Sequence, residues 1–362
     1  MIPPAYAAAQ PAADRIYRLA TQHTATLPDT PALATLIDAA FWTSLRREEG
    51  YIPRISLAFV APESEGVSFA ASFSLEPKDL AKLAPSVERT GLHLGVWPHQ
   101  QDELRVWGIT HNLPPFSLVL EVVLPGLVVV KQSPSEERGK FINIAVLHGD
   151  EIKIIDPQAE ISPGYPSLLA ALLRLDSSTA NILLPLAVSM RAHGRGGTLL
   201  VVPAQPETWA ESILQPITYS IAPTFSGLAD LMRKDAGDKP TRRWEDALGR
   251  AVDEIAGLTA VDGATLITSE YELLAFGAKI VRRKGSLQVA QVIVTEPIEG
   301  AIPLIAEPAH LGGTRHLSAA QFVHDQHEAI ALVASQDGQF TVFAWSPSDE
   351  RLHAHRIDPL LL

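Results

Sequence analysis

Two short segments in the last third of the chain hold the residue types that phosphate and metal chemistry require. Asp262-Gly263-Ala264 interrupts an apolar run, Leu258 to Ile267, that reads as a buried strand. A carboxylate in such a run is costly unless something pairs with it. Further along, Gly312-Gly313-Thr314-Arg315-His316 offers a glycine turn followed by a hydroxyl, a guanidinium and an imidazole. All three can donate to phosphate oxygens. A cation at a helix start opposes the helix dipole, and an anion bound there resolves the conflict. A stranded carboxylate and a cationic turn together suit a metal-bound nucleotide.

The elements that must position these residues follow from periodicity. Thr241 to Ile255 reads as a helix with Thr241 as N-cap, the apolar face Trp244, Leu248, Val252 and Ile255, and Gly257 at its end. Strands are expected at 260–268, 272–276 and 288–295, then a helix over 318–324 and a hairpin of 329–334 with 340–345 around Gln336-Asp337-Gly338. The earlier part is richer in strands. A helix is expected over Pro31 to Arg47, capped by Thr30, after a loose Ala/Pro-rich stretch, 7–13. Strands are expected at 54–60, 66–75, 92–97, 104–110, 118–123, 127–131 and 142–155, then helices at 166–175 and 179–190 and a strand at 199–202. The charged stretch Arg233 to Pro240 marks a boundary region. The fold class is therefore α/β: a compact C-terminal sheet with helices in the last third, near 120 residues, preceded by a strand-rich α+β part in the first two-thirds.

Composition narrows the function classes. The chain has 362 residues, enough for two domains, and 46% hydrophobic content. Its net charge of −12 argues against general affinity for nucleic acid backbones, yet leaves room for a nucleotide in a local basic pocket. The absence of cysteine excludes disulfides, thiolate catalysis and Cys-based zinc sites. The N-terminal residues lack the features of a signal peptide, and the apolar stretch Phe116 to Val130 contains Glu121 and Pro125. It reads as two strands and a turn, not a membrane span. A soluble cytoplasmic protein is the expectation.

Other chemistry-bearing groups have plainer readings. His193-Gly-Arg-Gly-Gly-Thr198 matches neither phosphate-loop spacing and precedes a strand, so it reads as a helix C-cap and tight turn. Arg282-Arg283-Lys284 reads as a solvated hairpin tip, with local attraction for polyphosphate as the sharper alternative. His324 and His327 have helical spacing but no evident further metal ligands. His310 reads as loop surface. Trp42, Trp97 and Trp107 read as core aromatics, and Glu48-Glu49 as an exposed acidic patch.

The last third resembles the diadenylate cyclase (DAC) domain. The resemblance rests on Val261-Asp262-Gly263-Ala264 in a strand, Phe276-Gly277-Ala278 ending the next, Gly313-Thr314-Arg315-His316 opening a helix that continues Ser318-Ala319-Ala320, and Ser335-Gln336-Asp337-Gly338 after a strand. It covers roughly 228–362 and implies for that part a twisted mixed sheet flanked by helices, preceded by an α+β sensor domain, 1–227. The first two-thirds resemble the sensor type called DACNV, on the strength of Phe41-Trp-Thr-Ser-Leu-Arg-Arg-Glu-Glu-Gly50.

The resemblance implies condensation of two ATP into cyclic di-AMP, a second messenger, with Mg2+ or Mn2+ as cofactor. It implies self-association, because two nucleotides must face one another, and an N-terminal domain that senses an unspecified signal. By the same resemblance Asp262 binds the metal, Gly263 and Ala264 let the nucleotide approach, and Gly313, Thr314, Arg315 and His316 hold it. Asp262, Arg315 and His316 become the catalytic set. Two positions depart from the family pattern. Leu317 stands where an arginine is usual, and Gln336 where a metal-binding Glu is frequent. Asp337, one residue on, is the substitute ligand, since a neutral amide binds a hard cation more weakly than a carboxylate. The rival readings are a catalytically silent nucleotide-binding sensor, a cyclase with a different cyclic product, and a docking scaffold that binds no nucleotide.

Overall fold

The computed structural model describes residues 5–20, 27–62, 66–89, 91–100, 103–134, 141–156, 182–205, 207–234 and 242–362. They form two compact units, one ending at Asp156 and the other running from Ile182 to Leu361. Each is built on its own mixed sheet.

The first unit begins with α1 (Ala9–Ala20), α2 (Thr30–Ser44) and β1 (Ser56–Phe59). There follow β2 (Val67–Ser74), α3 (Pro77–Leu83), β3 (His93–Pro98), β4 (Leu104–Thr110), β5 (Leu118–Leu124), β6 (Leu127–Gln132), β7 (Ile142–His148) and β8 (Glu151–Ile154). The strand order is β2-β4-β3-β1-β5-β6-β7-β8.

Residues 7–13, expected to be loose, instead enter α1. Its Ala9, Ala12, Ala13 and Ile16 are fully buried against the core, so small side chains here serve close packing. The cap of α2 is Asp29, not Thr30: its Oδ1 accepts from the Ala32 amide at 2.8 Å, and Pro31 sits in the first turn. The single strand expected at 142–155 is a hairpin, turned at Gly149 (φ 55°). Phe116 to Val130 resolves into β5 and β6, as its Pro-Gly break implies.

The second unit comprises α4 (Leu183–Ala192), β9 (Gly197–Val202), β10 (Tyr219–Phe225), α5 (Gly227–Lys234), α6 (Arg242–Leu258), β11 (Ala264–Thr268) and β12 (Leu273–Ala278). It continues through β13 (Val292–Thr295), β14 (Leu304–Ala306), α7 (Thr314–Asp325), β15 (Ile330–Ala334), β16 (Phe340–Ser346) and β17 (Arg351–Arg356). The sheet order is β10-β12-β11-β9-β15-β16-β17-β13-β14.

The division between units differs from the expected one at 227/228. Strand β9 pairs in parallel with β11 and antiparallel with β15, at the centre of the second sheet. All six of its residues are buried, so a cut at 228 would strip this sheet of an interior strand, and of β10 at its edge. The helix expected over 166–175 and the Thr241 cap lie outside the described residues.

Alternate faces of the second sheet feed two cores. Leu199, Val201 and Ile267 pack with α4 and α6 through Leu186, Met190, Val252 and Ile255. On the other face Leu200, Leu266, Ala331 and Phe343 pack with Ala319, Phe322 and Val323 of α7. This alternation is the two-residue period of a sheet covered on both sides. Among the described residues, no helix is long and apolar enough to cross a membrane.

Candidate functional site

Strand register brings the predicted residues to one end of the second sheet. Ala264 pairs with Ala278 and with Thr198, Gly197 with Ala334, and Ala334 with Phe340. The start of β11, the start of β9, the end of β15 and the start of β16 therefore share one edge of the layer. Asp262 precedes β11, the Ser335–Gln339 turn follows β15, and the N-terminus of α7 lies over the same end on one face.

Asp262 does not sit in a buried strand. Helix α6 unwinds through the Thr259, Ala260 and Val261 amides, which bond to Ala256, Gly257 and Leu258 carbonyls, and Asp262 stands exposed in the bend before β11. Its carboxylate is in water, so no buried partner is required. Gly263 is what the bend demands. Its φ is 102°, and a Cβ there would fall 2.6 Å from the Gly277 carbonyl carbon. The Asp-Gly pair thus turns against the Gly277-Ala278 backbone with no space for a side chain.

Gly312 and Gly313 lead into α7, whose N-cap is Gly313 without a side-chain cap. Its first amides are therefore open to an external acceptor. Thr314 is exposed and Arg315 half-buried. The Arg315 Nη1 atom reaches across the end of β15 to the Gly196 turn, 3.0 Å from where a Cβ on Gly196 would stand; the Ala334 carbonyl oxygen and Gln336 Cγ lie 3.2 and 3.4 Å from the same point.

His316 is 2% exposed. Its ring lies directly against Gly312 and edge-on to Phe343 (6.1 Å), and its Nε2 has no hydrogen-bond partner among the described residues. Burial lowers its pKa, opposed by the Asp337 charge and aided by Arg356. The imidazole is consequently neutral near pH 7 and holds one buried polar atom unused.

The Ser335–Gln339 turn gathers guanidinium groups. Arg191 Nε donates to the Gly338 carbonyl at 3.0 Å, and Gln336 Nε2 donates to the Arg195 carbonyl at 3.3 Å. Arg315 flanks Gln336 as described, while Arg356 ends β17 opposite Thr341 with its buried Nε unpaired. Asp337 is exposed within this set. Partial burial raises its pKa, but hydrogen bonds from Ser335 and the Gln339 amide and the nearby His316 more than offset this, so its carboxyl stays below the ordinary range. In a chain of net charge −12, Arg191 and Arg315 beside this turn, with Arg356 near His316, make a local cationic end.

Sequence reasoning missed the contribution of the His193–Thr198 turn. It is the C-cap expected of it: His193 ends α4 and Gly194 has φ 65°. It also forms one wall of the cationic end. The Arg195 amide donates to His193 Nδ1 (3.1 Å), which leaves Nε2–H to donate to Thr259 Oγ1 (3.1 Å), and Thr259 in turn donates to the Ala256 carbonyl (2.6 Å). The turn is thereby tied to the segment that carries Asp262. The only signal in the sequence was the density of Gly and Arg.

Metal fit is limited but coherent. Among the described residues, no three His, Asp or Glu side chains converge on one point. Asp262 and Asp337 lie beyond the ends of β11 and β15 with β9 between them, about two strand spacings or 10 Å apart, so the exposed Asp262 carboxylate alone fits the pattern in which one carboxylate, water and substrate phosphates hold Mg2+.

The remaining candidates are structural. His327 stacks on Trp345 (3.7 Å) and His324 Nδ1 lies 3.3 Å from Asp325. Arg283 pairs with Glu211 at 2.6 Å. His324, His327 and Arg283, with Lys284, Ser286 and Asp325, line a cavity of about 670 Å3 at the opposite end of the sheet, near Pro203 after β9. His310 is exposed in a short turn. Trp107 is core and donates to the Val60 carbonyl, Trp97 packs on Phe59, and Trp42 is partly exposed beside Asp38. Glu48 and Glu49 form a tight turn closed by Tyr51.

No curated protein matches the chain. A family model described as "Probable sensor domain DACNV" matches residues 22–111, a narrower span than the 1–227 expected, running through α2 to β4 of the first unit. Over those residues the chain is similar to a family of probable sensor domains.

Proposed function

We propose that the second unit is a metal-dependent diadenylate cyclase-type nucleotidyltransferase, condensing two ATP into cyclic di-AMP under control of the DACNV-like first unit. One observation carries this reading. Asp262, Arg315, His316 and Asp337, remote along the chain, lie at one end of one sheet, with the Arg191 and Arg315 guanidinium groups beside a single turn.

Two phosphodiester bonds must form and two pyrophosphates leave, each 3′-hydroxyl attacking the α-phosphate of the other nucleotide. Such transfer needs positioning and charge neutralisation more than covalent help. Arg315 and the open amides of α7 would hold phosphate oxygens. Neutral His316 supplies at most one N–H, so it would orient a phosphate more than neutralise it. Asp262 would hold a divalent cation, which would lower the pKa of a bound hydroxyl and offset phosphate charge, and Asp337 would be the second candidate ligand, two strands away. Because each site holds one nucleotide, turnover requires two copies of the chain face to face.

The test is product analysis of ATP incubated with the full chain and Mg2+ or Mn2+. Wild type is expected to form cyclic di-AMP, and Asp262→Asn to reduce its rate by at least about 100-fold, the scale of losing one electrostatic stabiliser. Product formed equally by Asp262→Asn would overturn the assignment. Leu317 and Gln336 favour a second reading, a nucleotide-binding sensor without turnover. Calorimetric ATP binding in the absence of any product would select it.

A further inference from the structure

Strand β10 was not expected from the sequence, and it brings an aromatic pair to the candidate site. Tyr219 pairs across the strands with Phe276, and the two rings stack with centroids 4.7 Å apart and planes within 5°. A stacked cross-strand pair ordinarily buries its rings, yet Tyr219 is 48% exposed.

The position of the pair is tightly defined. Gly277 has φ 63°, and a Cβ on it would stand 2.7 Å from Tyr219 Cδ2 and 3.4 Å from the Asp262 carbonyl oxygen. The tyrosine ring therefore lies over the same glycine backbone against which the Asp262-Gly263 bend turns. Along the sheet the order is aromatic pair (β10, β12), carboxylate (before β11), cationic turn (before β9, after β15). At strand spacing the distance from β10 to β9 is about 14 Å. Base, ribose and phosphates follow one another in an extended nucleoside triphosphate, so a base at the aromatic pair and phosphates at the cationic turn would leave the ribose and first phosphate facing Asp262.

We propose that Tyr219, backed by Phe276, is the platform on which the nucleobase stacks. The inference rests on the reading of this sheet end as a nucleotide site, and it adds a specificity element drawn from a strand outside residues 228–362. A ring face recognises any planar base, so Tyr219 supplies affinity for the base as such, and purines, with the larger π-surface, bind more tightly than pyrimidines.

The test is calorimetry on the full chain with Mg2+, titrating ATP, CTP and tripolyphosphate. Wild type is expected to bind ATP more tightly than CTP, and both more tightly than tripolyphosphate. Tyr219→Ala is expected to weaken ATP about tenfold, the scale of losing one base–aromatic stack, and to leave tripolyphosphate unchanged. Tyr219→Phe, which keeps the ring, is expected to retain wild-type ATP affinity. Equal ATP binding by Tyr219→Ala and wild type would overturn the platform while leaving the nucleotide site standing. Parallel loss of ATP and tripolyphosphate in Tyr219→Ala would also overturn it, since the tyrosine would then be acting on the fold. Wild type that binds none of the three ligands would overturn the nucleotide site itself, and the platform with it.

Discussion

The two ends of helix α7 carry similar side chains and use them in opposite ways. At its C-terminal end the Asp325 carboxylate is enclosed and saturated. It accepts from the Ser286 hydroxyl, the Arg283 amide (2.8 Å), Gln321 Nε2 (2.9 Å) and His324 Nδ1 (3.3 Å). Burial raises its pKa, but these bonds more than compensate, so the group remains ionised. At the N-terminal end the helix has no side-chain cap, His316 Nε2 and Arg356 Nε are buried without partners among the described residues, and Asp262 stands in solvent. A polar group whose bonds are filled holds the protein together. One left open, beside others left open, is available to a ligand. A cavity of about 670 Å3 lies at the saturated end, lined by Arg283, Ser286, His324 and Asp325.

The comparison breaks most sharply at Asp325. Asp325→Ala leaves the Arg283 amide, Ser286 and Gln321 without their shared acceptor and is expected to cost about 3 kcal/mol in urea unfolding, with ATP binding unchanged in the variant that folds. Stability loss matched by an equal loss of ATP affinity would mean that the two ends are not separate in function.

Acid titration probes the buried imidazoles of the sheet. Burial lowers the pKa of His355 to about 3 and shifts His316 in the same direction. A depressed histidine binds protons more readily in the unfolded chain. Stability is therefore full above the unfolded value near 6.5 and falls as pH drops toward the folded value. In the window from about 6.5 down to 3, His355 contributes a slope of about 1.4 kcal/mol per pH unit. His355→Asn is expected to flatten the wild-type decline between pH 6.5 and 4.5, measured by urea midpoints; an unchanged slope would show that His355 is not the responsible group.

The smallest effect belongs to the Arg283–Glu211 pair. Both side chains are about half exposed, at 45% and 55%, so solvent and salt screen the contact. Glu211→Gln is expected to change stability by no more than about 0.5 kcal/mol at low salt and by nothing measurable at high salt. A larger, salt-independent loss would move this pair into the structural network around Asp325.

Much of the fold was legible in local pattern. Apolar runs bounded by Gly and Pro located β4, β6, β15 and β16 nearly to the residue, because a buried strand needs a short continuous apolar stretch. Elements without that signature escaped. Strand β10 is largely exposed and contains Pro223, and β17 carries Arg351, His353, His355 and Arg356, a composition that reads as polar loop. Its imidazoles are buried only because β16 and β13 flank it.

Of the candidate site, the residue types and the two glycine turns were readable from the chain: the Asp-Gly bend, the cationic helix start, and the Ser-Gln-Asp turn after an apolar strand. Local spacing could set these because turn geometry depends on a few consecutive dihedrals. Tertiary structure alone decided that Asp262 is exposed, that the His193–Thr198 turn stands against Arg315 and Gln336, and that Tyr219 lies over Gly277. Each of these depends on which strands are neighbours, with β9 inserted between β11 and β15. Strand order is chosen by the packing of whole faces across the sheet, a long-range sum that no single segment contains.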